Sequence, residues 1–258
     1  MIVDVHAHLD HYLIKDRLDE IIENAKKAGV KAIITSGVNH STNLIALEIS
    51  KKHKDIVKCA FGLYPRDAFT REESDEAYKT ETHNIDEELA FFEKHKNDFI
   101  AIGEVGLDYY NGKDKEMQTK DFIKIIHLAK KLGKPLIIHS RKAESDALDI
   151  LEKEGAKKVV MHCFSGNKNL IKRAAKLGYY FSIPTNIVRA ENFQSLVKEV
   201  NISQLLTETD APYLSPFKDK KNEPAFIEET IKKIAQIKGM TEHDVMQNIY
   251  MNYQKLFL

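Results

Sequence analysis

The sequence predicts an α/β fold, a single (β/α)8 TIM barrel in one domain over residues 1–258, with an extra helix at its C-terminal end. Three observations predict it. A helix-like stretch ending in Gly is repeatedly followed at once by a short run rich in Val, Ile or aromatic residues. Those runs are continuous rather than alternating, as suits parallel strands buried on both faces. The length of 258 residues also matches such barrels, which typically run to about 250.

The elements follow in order. A first strand at 2–8 leads to Leu18, Ile21, Ile22 and Ala25, an apolar face at helical spacing. Ala28-Gly29-Val30 ends that helix before a strand at 31–36, and further strands are expected at 56–61 and 98–104. Between those two, the acidic stretch from Arg71 through Glu88 reads as a solvated loop or helix start. Phe122, Ile125, Ile126 and Ala129 form a second apolar helix face, and Leu132-Gly133-Lys134-Pro135 stops it before a strand at 135–139. Gly takes the left-handed cap conformation cheaply, and the following Pro blocks helix continuation. Gly155 precedes a strand at 157–162, Gly178 one at 179–183, and the last strand is expected at 204–208. Thr241, with Asp244 three residues on, marks the start of the final helix. Eight strands alternating with helices point to a closed barrel, with an open doubly wound sheet as the rival. No linker or composition break suggests a second domain.

Composition narrows the function classes. Lys plus Arg equals Asp plus Glu at 39 each, so the basic excess usual for nucleic-acid binding is missing. A nuclease stays open, because metal ions can supply local positive charge. No apolar run approaches the roughly 20 residues of a membrane span. The Met-Ile-Val-Asp-Val-His start lacks the basic and apolar regions of a signal peptide. Cys59 and Cys163 lie far apart and imply no disulfide framework. The expectation is a cytoplasmic protein with no membrane association and no obligate protein partner.

The chemistry concentrates at strand ends. Residues two apart on a strand share a face, so Asp4, His6 and His8 point one way and Val3, Val5 and Ala7 the other. Glu104 follows the fourth apolar run, His139 the fifth, His162 the sixth and Asp210 the eighth. Of 11 histidines, these four strand-end ones stand apart; the other seven fall in helical patterns or loops, where surface roles are the default. So many titratable groups in one barrel mouth would be very costly to bury without a cation to pair them. Imidazole and carboxylate donors suit divalent ions, and catalytic groups of such barrels sit at this face. Cys163 follows His162 directly, and alternation turns it away from that cluster as a small packed residue. Asp4 and Asp108 are candidates to hydrogen-bond a ligand imidazole.

The segments His6-Ala7-His8-Leu9-Asp10, Gly103-Glu104-Val105-Gly106-Leu107-Asp108-Tyr109, Ile138-His139-Ser140-Arg141, His162-Cys163-Phe164-Ser165-Gly166 and Glu208-Thr209-Asp210-Ala211-Pro212-Tyr213-Leu214 resemble those of the TatD-type metal-dependent deoxyribonucleases, among the amidohydrolase-like barrels. The resemblance runs from residue 4 to beyond residue 224. It implies a hydrolase with two divalent ions (Zn, Mn or Mg): His6, His8, Asp210 and Glu104 around one, and a bridging Glu104 with His139 and His162 around the other. It further implies DNA as substrate, cut from strand ends by a metal-activated hydroxide, with Asp210 accepting the water's proton. Arg141 could hold a phosphate oxygen. Two positions depart from the family: Tyr64 stands where His is usual, and Lys221 where an Arg is common, both candidate substrate contacts. The alternative is a metal-dependent ester or amide hydrolase, such as one removing D-amino acids from tRNA.

Overall fold

Why the barrel closes is best seen at its seam. In the computed structural model, which describes residues 1–68 and 84–258, there are eight strands: β1 (Ile2–Ala7), β2 (Val30–Ser36), β3 (Val57–Leu63), β4 (Ala101–Asp108), β5 (Leu136–Arg141), β6 (Val159–His162), β7 (Tyr180–Pro184) and β8 (Leu205–Glu208). They form one sheet in chain order, every neighbouring pair parallel. The last strand returns to the first through backbone bonds just past the strand ends, Asp210 N–H to His6 O and His8 N–H to Ala211 O, both 2.9 Å. That return excludes the open doubly wound sheet.

Helices follow the strands in turn: α1 (Leu18–Lys27), α2 (His40–Lys52), α3 (Ile85–Lys94), α4 (Lys115–Leu132), α5 (Glu144–Lys153), α6 (Lys168–Lys176), α7 (Glu191–Glu199) and α8 (Ile227–Lys238). The expected extra helix is α9 (Glu242–Phe257), capped by the Thr241 hydroxyl on the Asp244 N–H. Ile21, Ile22 and Ala25 of α1, and Phe122, Ile125, Ile126 and Ala129 of α4, are buried as their spacing requires. Gly133 ends α4 in the left-handed conformation at φ 68°. Most of the acidic stretch at 71–88 lies outside the described residues; its last part caps and opens α3.

One strand departs from expectation in a way that matters for the site. β4 starts at Ala101 and runs to Asp108, so Glu104 sits within it rather than at its end. The register shifts on both sides of that residue. The Glu104 N–H reaches past β3 to the Gly37 carbonyl at 3.2 Å. A Cβ on Gly62 of β3 would lie 2.0 Å from that carbonyl oxygen and 2.4 Å from the Glu104 nitrogen, so only glycine lets the three backbones approach.

Polar side chains complete the seam. The Thr207 hydroxyl donates to Val3 O at 2.5 Å, and fully buried Asp4 accepts the Thr209 N–H at 2.9 Å and its hydroxyl at 2.5 Å. Asp4 was expected to hold a ligand imidazole. Its carboxylate instead takes the backbone N–H of His6 at 3.3 Å, because the ring points into the mouth while the main chain faces β8. Burial, only partly offset by these Thr209 and His6 bonds, pushes the Asp4 carboxyl up to about 7.

Asp4→Ala should therefore destabilise the fold by about 1–3 kcal/mol in denaturant titrations, since buried Thr209 donors lose their acceptor. Asp4→Asn, which keeps an acceptor there, should cost less. A carboxyl whose pKa rises on folding contributes stability that is full below its unfolded value and lost as pH rises through the folded one. Wild type should accordingly lose stability relative to Asp4→Asn between pH 3.8 and about 7. A constant difference across that range would count against Asp4 as the titrating clamp.

Candidate metal centre

Glu104 stands at the middle of the barrel mouth with its two oxygens facing different imidazole pairs. Oε2 lies 3.5 Å from His6 Nε2 and 3.4 Å from His8 Nε2. Oε1 lies 2.7 Å from His139 Nδ1 and 3.8 Å from His162 Nε2. Asp210, just past β8, places Oδ1 3.6 Å from His6 Nε2 and 3.5 Å from His8 Nε2. Donors about 2.1 Å from a tetrahedral ion are about 3.4 Å apart, so the spacing of His6, His8, Glu104 and Asp210 fits a cation. His6 Nε2 is buried and makes no hydrogen bond. The structure thus brings all six sequence-predicted ligands together.

The rings are held so that lone pairs face inward. His8 Nδ1 lies 3.0 Å from the Ser36 carbonyl, which can only accept, so Nδ1 carries the proton and Nε2 the lone pair. His162 Nδ1 lies 2.8 Å from Glu208 and His139 Nε2 lies 3.1 Å from Asp108, two carboxylates that orient these rings in the same sense. The Ser36 hydroxyl meets His6 Nδ1 at 3.1 Å. Lone pairs aimed at carboxylate oxygens need positive charge between them. Burial would depress His8, but Asp210 and Glu104 outweigh it and hold it well above its ordinary value. Burial would likewise raise Glu104, yet the His139, His6 and His8 imidazoles around its oxygens hold it well below the usual carboxylate range. Glu208, also buried, is pulled down to about 2 by His162 and the Ser182 hydroxyl.

Glu208, Ser36 and Ser182 are supports that sequence reasoning did not assign. Glu208 could have been noticed as the last residue of the eighth apolar run, two before Asp210; a lone Ser at a strand end carries no comparable signal. His11 is also fully buried rather than a surface residue: its Nδ1 accepts the Leu13 N–H at 3.1 Å, so Nε2 donates to the Tyr213 hydroxyl at 2.9 Å. Asp108 meets the His139 imidazole, as expected of it.

A cavity of about 600 Å³ opens over these groups. Tyr64 and Arg141 line it, whereas Lys221 is exposed and outside its lining. The Tyr64 hydroxyl donates to Asp108 at 2.5 Å and lies 3.0 Å from His139 Nε2. Cys163 lines the cavity too, against the alternation argument. The strand ends at His162, and a left-handed φ of 43° turns the next residue back toward the mouth. Burial and the Glu208 and Asp210 carboxylates push its thiol well up, so it stays protonated and poorly nucleophilic, as expected.

The sequence model described as "TatD related DNase" matches residues 3–258. The chain belongs to the TatD-related DNase family. Deoxyribonuclease TATDN3 of Homo sapiens is 33% identical, the match covering 99% of this chain and 94% of that one. The metal-dependent hydrolase YabD of Bacillus subtilis is 36% identical, over 100% of this chain and 99% of that one. Among solved structures, the TatD homologue YJJV of Escherichia coli superposes with a TM-score of 0.85 at 22% identity, covering 99% of this chain and 97% of that one. At that identity the likeness concerns the fold. This TatD-family chain is a metal-dependent hydrolase, and the ester or amide alternative is not favoured.

If Glu208 sets the His162 ring, Glu208→Gln should weaken divalent-metal binding by roughly 10- to 100-fold, read by metal titration under chelator competition. Unchanged affinity would show the Glu208–His162 pair to be structural only. Gly62→Ala should push the Glu104 backbone away and lower bound metal per chain, measured by elemental analysis beside a circular dichroism check of folding.

Proposed function

We propose that this TatD-family hydrolase is a two-metal deoxyribonuclease that cuts DNA phosphodiester bonds from strand ends. The observation that carries this reading is the division of Glu104 between two imidazole pairs, Oε2 toward His6 and His8 and Oε1 toward His139 and His162. His6, His8, Asp210 and Glu104 would hold one divalent ion, and Glu104, His139 and His162 a second. Nitrogen and oxygen donors of this kind suit zinc, manganese or magnesium to differing degrees. When bound, such a pair lowers the pKa of water toward 7 and offsets the charge that develops on phosphate. The relative named a deoxyribonuclease supports DNA as the substrate.

The chain's own residues supply positioning and proton transfer. Both Glu104 oxygens face imidazoles, and its side chain is 6% exposed; Asp210 presents only Oδ1 to them and is 15% exposed. Its second oxygen is therefore placed to accept the proton of the attacking water. Arg141 offers donors to a phosphate oxygen from the cavity wall. The Tyr64 hydroxyl, engaged with Asp108 and His139, acts by holding that imidazole at the edge of the phosphate site. Lys221 enters no step.

End-labelled single-stranded DNA, incubated with metal-reconstituted protein and with a Glu104→Ala variant prepared identically, tests the reading. Ladder-like shortening by wild type, lost in the variant and on chelation, is the expected outcome. If wild type, shown to be metal-loaded, leaves the DNA intact, the phosphodiesterase reading falls.

A further inference from the structure

Next to the metal centre, the rim formed by the ends of β4 and β5 gives Arg141 an aromatic partner that the reaction described above does not use. Arg141 closes β5, two residues beyond His139. Its guanidinium lies 4.0 Å from the centroid of the Tyr110 ring, and its Nη1 is buried without a hydrogen-bond partner. Among the described residues no carboxylate pairs with it. A buried guanidinium nitrogen left without an acceptor is costly, and a phosphate matches its planar fork.

Tyr110 is built to stay where it is. Its backbone N–H donates to Asp108 Oδ1 at 2.9 Å, and that same carboxylate orients His139 through Oδ2. One face of the ring meets Arg141, yet the residue is 62% exposed, which leaves the other face open to solvent. An exposed aromatic backed by a cation beside a phosphate-cleaving centre is the chemistry that holds single-stranded nucleic acid, because every base has a π-face to stack. Two residues along a strand separate the Arg141 backbone from that of His139 by about 6.6 Å, a spacing that suits the phosphate next to the one that reacts.

We propose that Arg141 and Tyr110 form a flanking-nucleotide subsite, in which Arg141 binds the phosphate next to the one cleaved and Tyr110 stacks the attached base. The subsite rests on the reading of the chain as a deoxyribonuclease and extends it. It makes the enzyme favour a single-stranded chain over an isolated phosphodiester.

The sequence contains no Trp, so Tyr110→Trp introduces a sole indole reporter at the subsite. In metal-reconstituted Tyr110→Trp, a cleavage-resistant phosphorothioate oligothymidylate should quench the emission, and inorganic phosphate should not. In steady-state assays, Tyr110→Ala should lower the ratio of kcat/KM for an oligonucleotide to kcat/KM for bis(p-nitrophenyl) phosphate by roughly tenfold, mainly through KM, and Tyr110→Phe should restore it. Emission that ignores an oligonucleotide known to compete for cleavage, or an unaltered ratio in Tyr110→Ala, overturns the subsite while leaving the nuclease reading intact. Failure of wild type to cleave any oligonucleotide overturns both.

Discussion

The arrangement depends on one buried carboxylate, Glu104, shared among four imidazoles. An ionised carboxylate this deep in a protein is tolerated only when positive charge or donors surround it. The rest of the mouth supplies those conditions. β1, β5 and β6 bring the imidazoles, and the Gly62 gap in β3 lets the Glu104 backbone sink far enough to meet all four. Placing the carboxylate within a strand rather than on a loop fixes its height, so its two oxygens face different partners without a change of rotamer.

Every strand of the barrel contributes to this centre. β1, β4, β5, β6 and the end of β8 carry the six candidate ligands. β2 holds the His6 and His8 rings through Ser36, β3 runs into Tyr64, and β7 steadies Glu208 through Ser182. The supporting groups are as buried as the candidate ligands, and their geometry decides which nitrogen of each ring faces inward.

The fold was legible because its signals are local. Gly stops, β-branched runs and the Thr241 cap act over a few residues, and they placed the strands to within a few positions. The six candidate ligands were legible because His, Glu and Asp at the ends of apolar runs have few structural explanations. What escaped depends on distance in space. Asp4 finds Thr209 across 205 residues of chain, and His11 finds Tyr213 across 202. The shift of Glu104 into the body of β4 follows from how three backbones pack, which periodicity along one strand cannot report. Cys163 turned inward because the backbone left the strand conformation directly after His162, where an alternation argument no longer applies.

The seam between β8 and β1 also sets the order in which the centre can come into being. His6 lies in the first strand and Asp210 just past the last, so synthesis delivers the one before all the intervening strands and the other only after them. A growing polypeptide on the ribosome therefore carries its first histidines long before it can assemble the four-donor site. Hydrolytic chemistry is withheld from the nascent chain by topology.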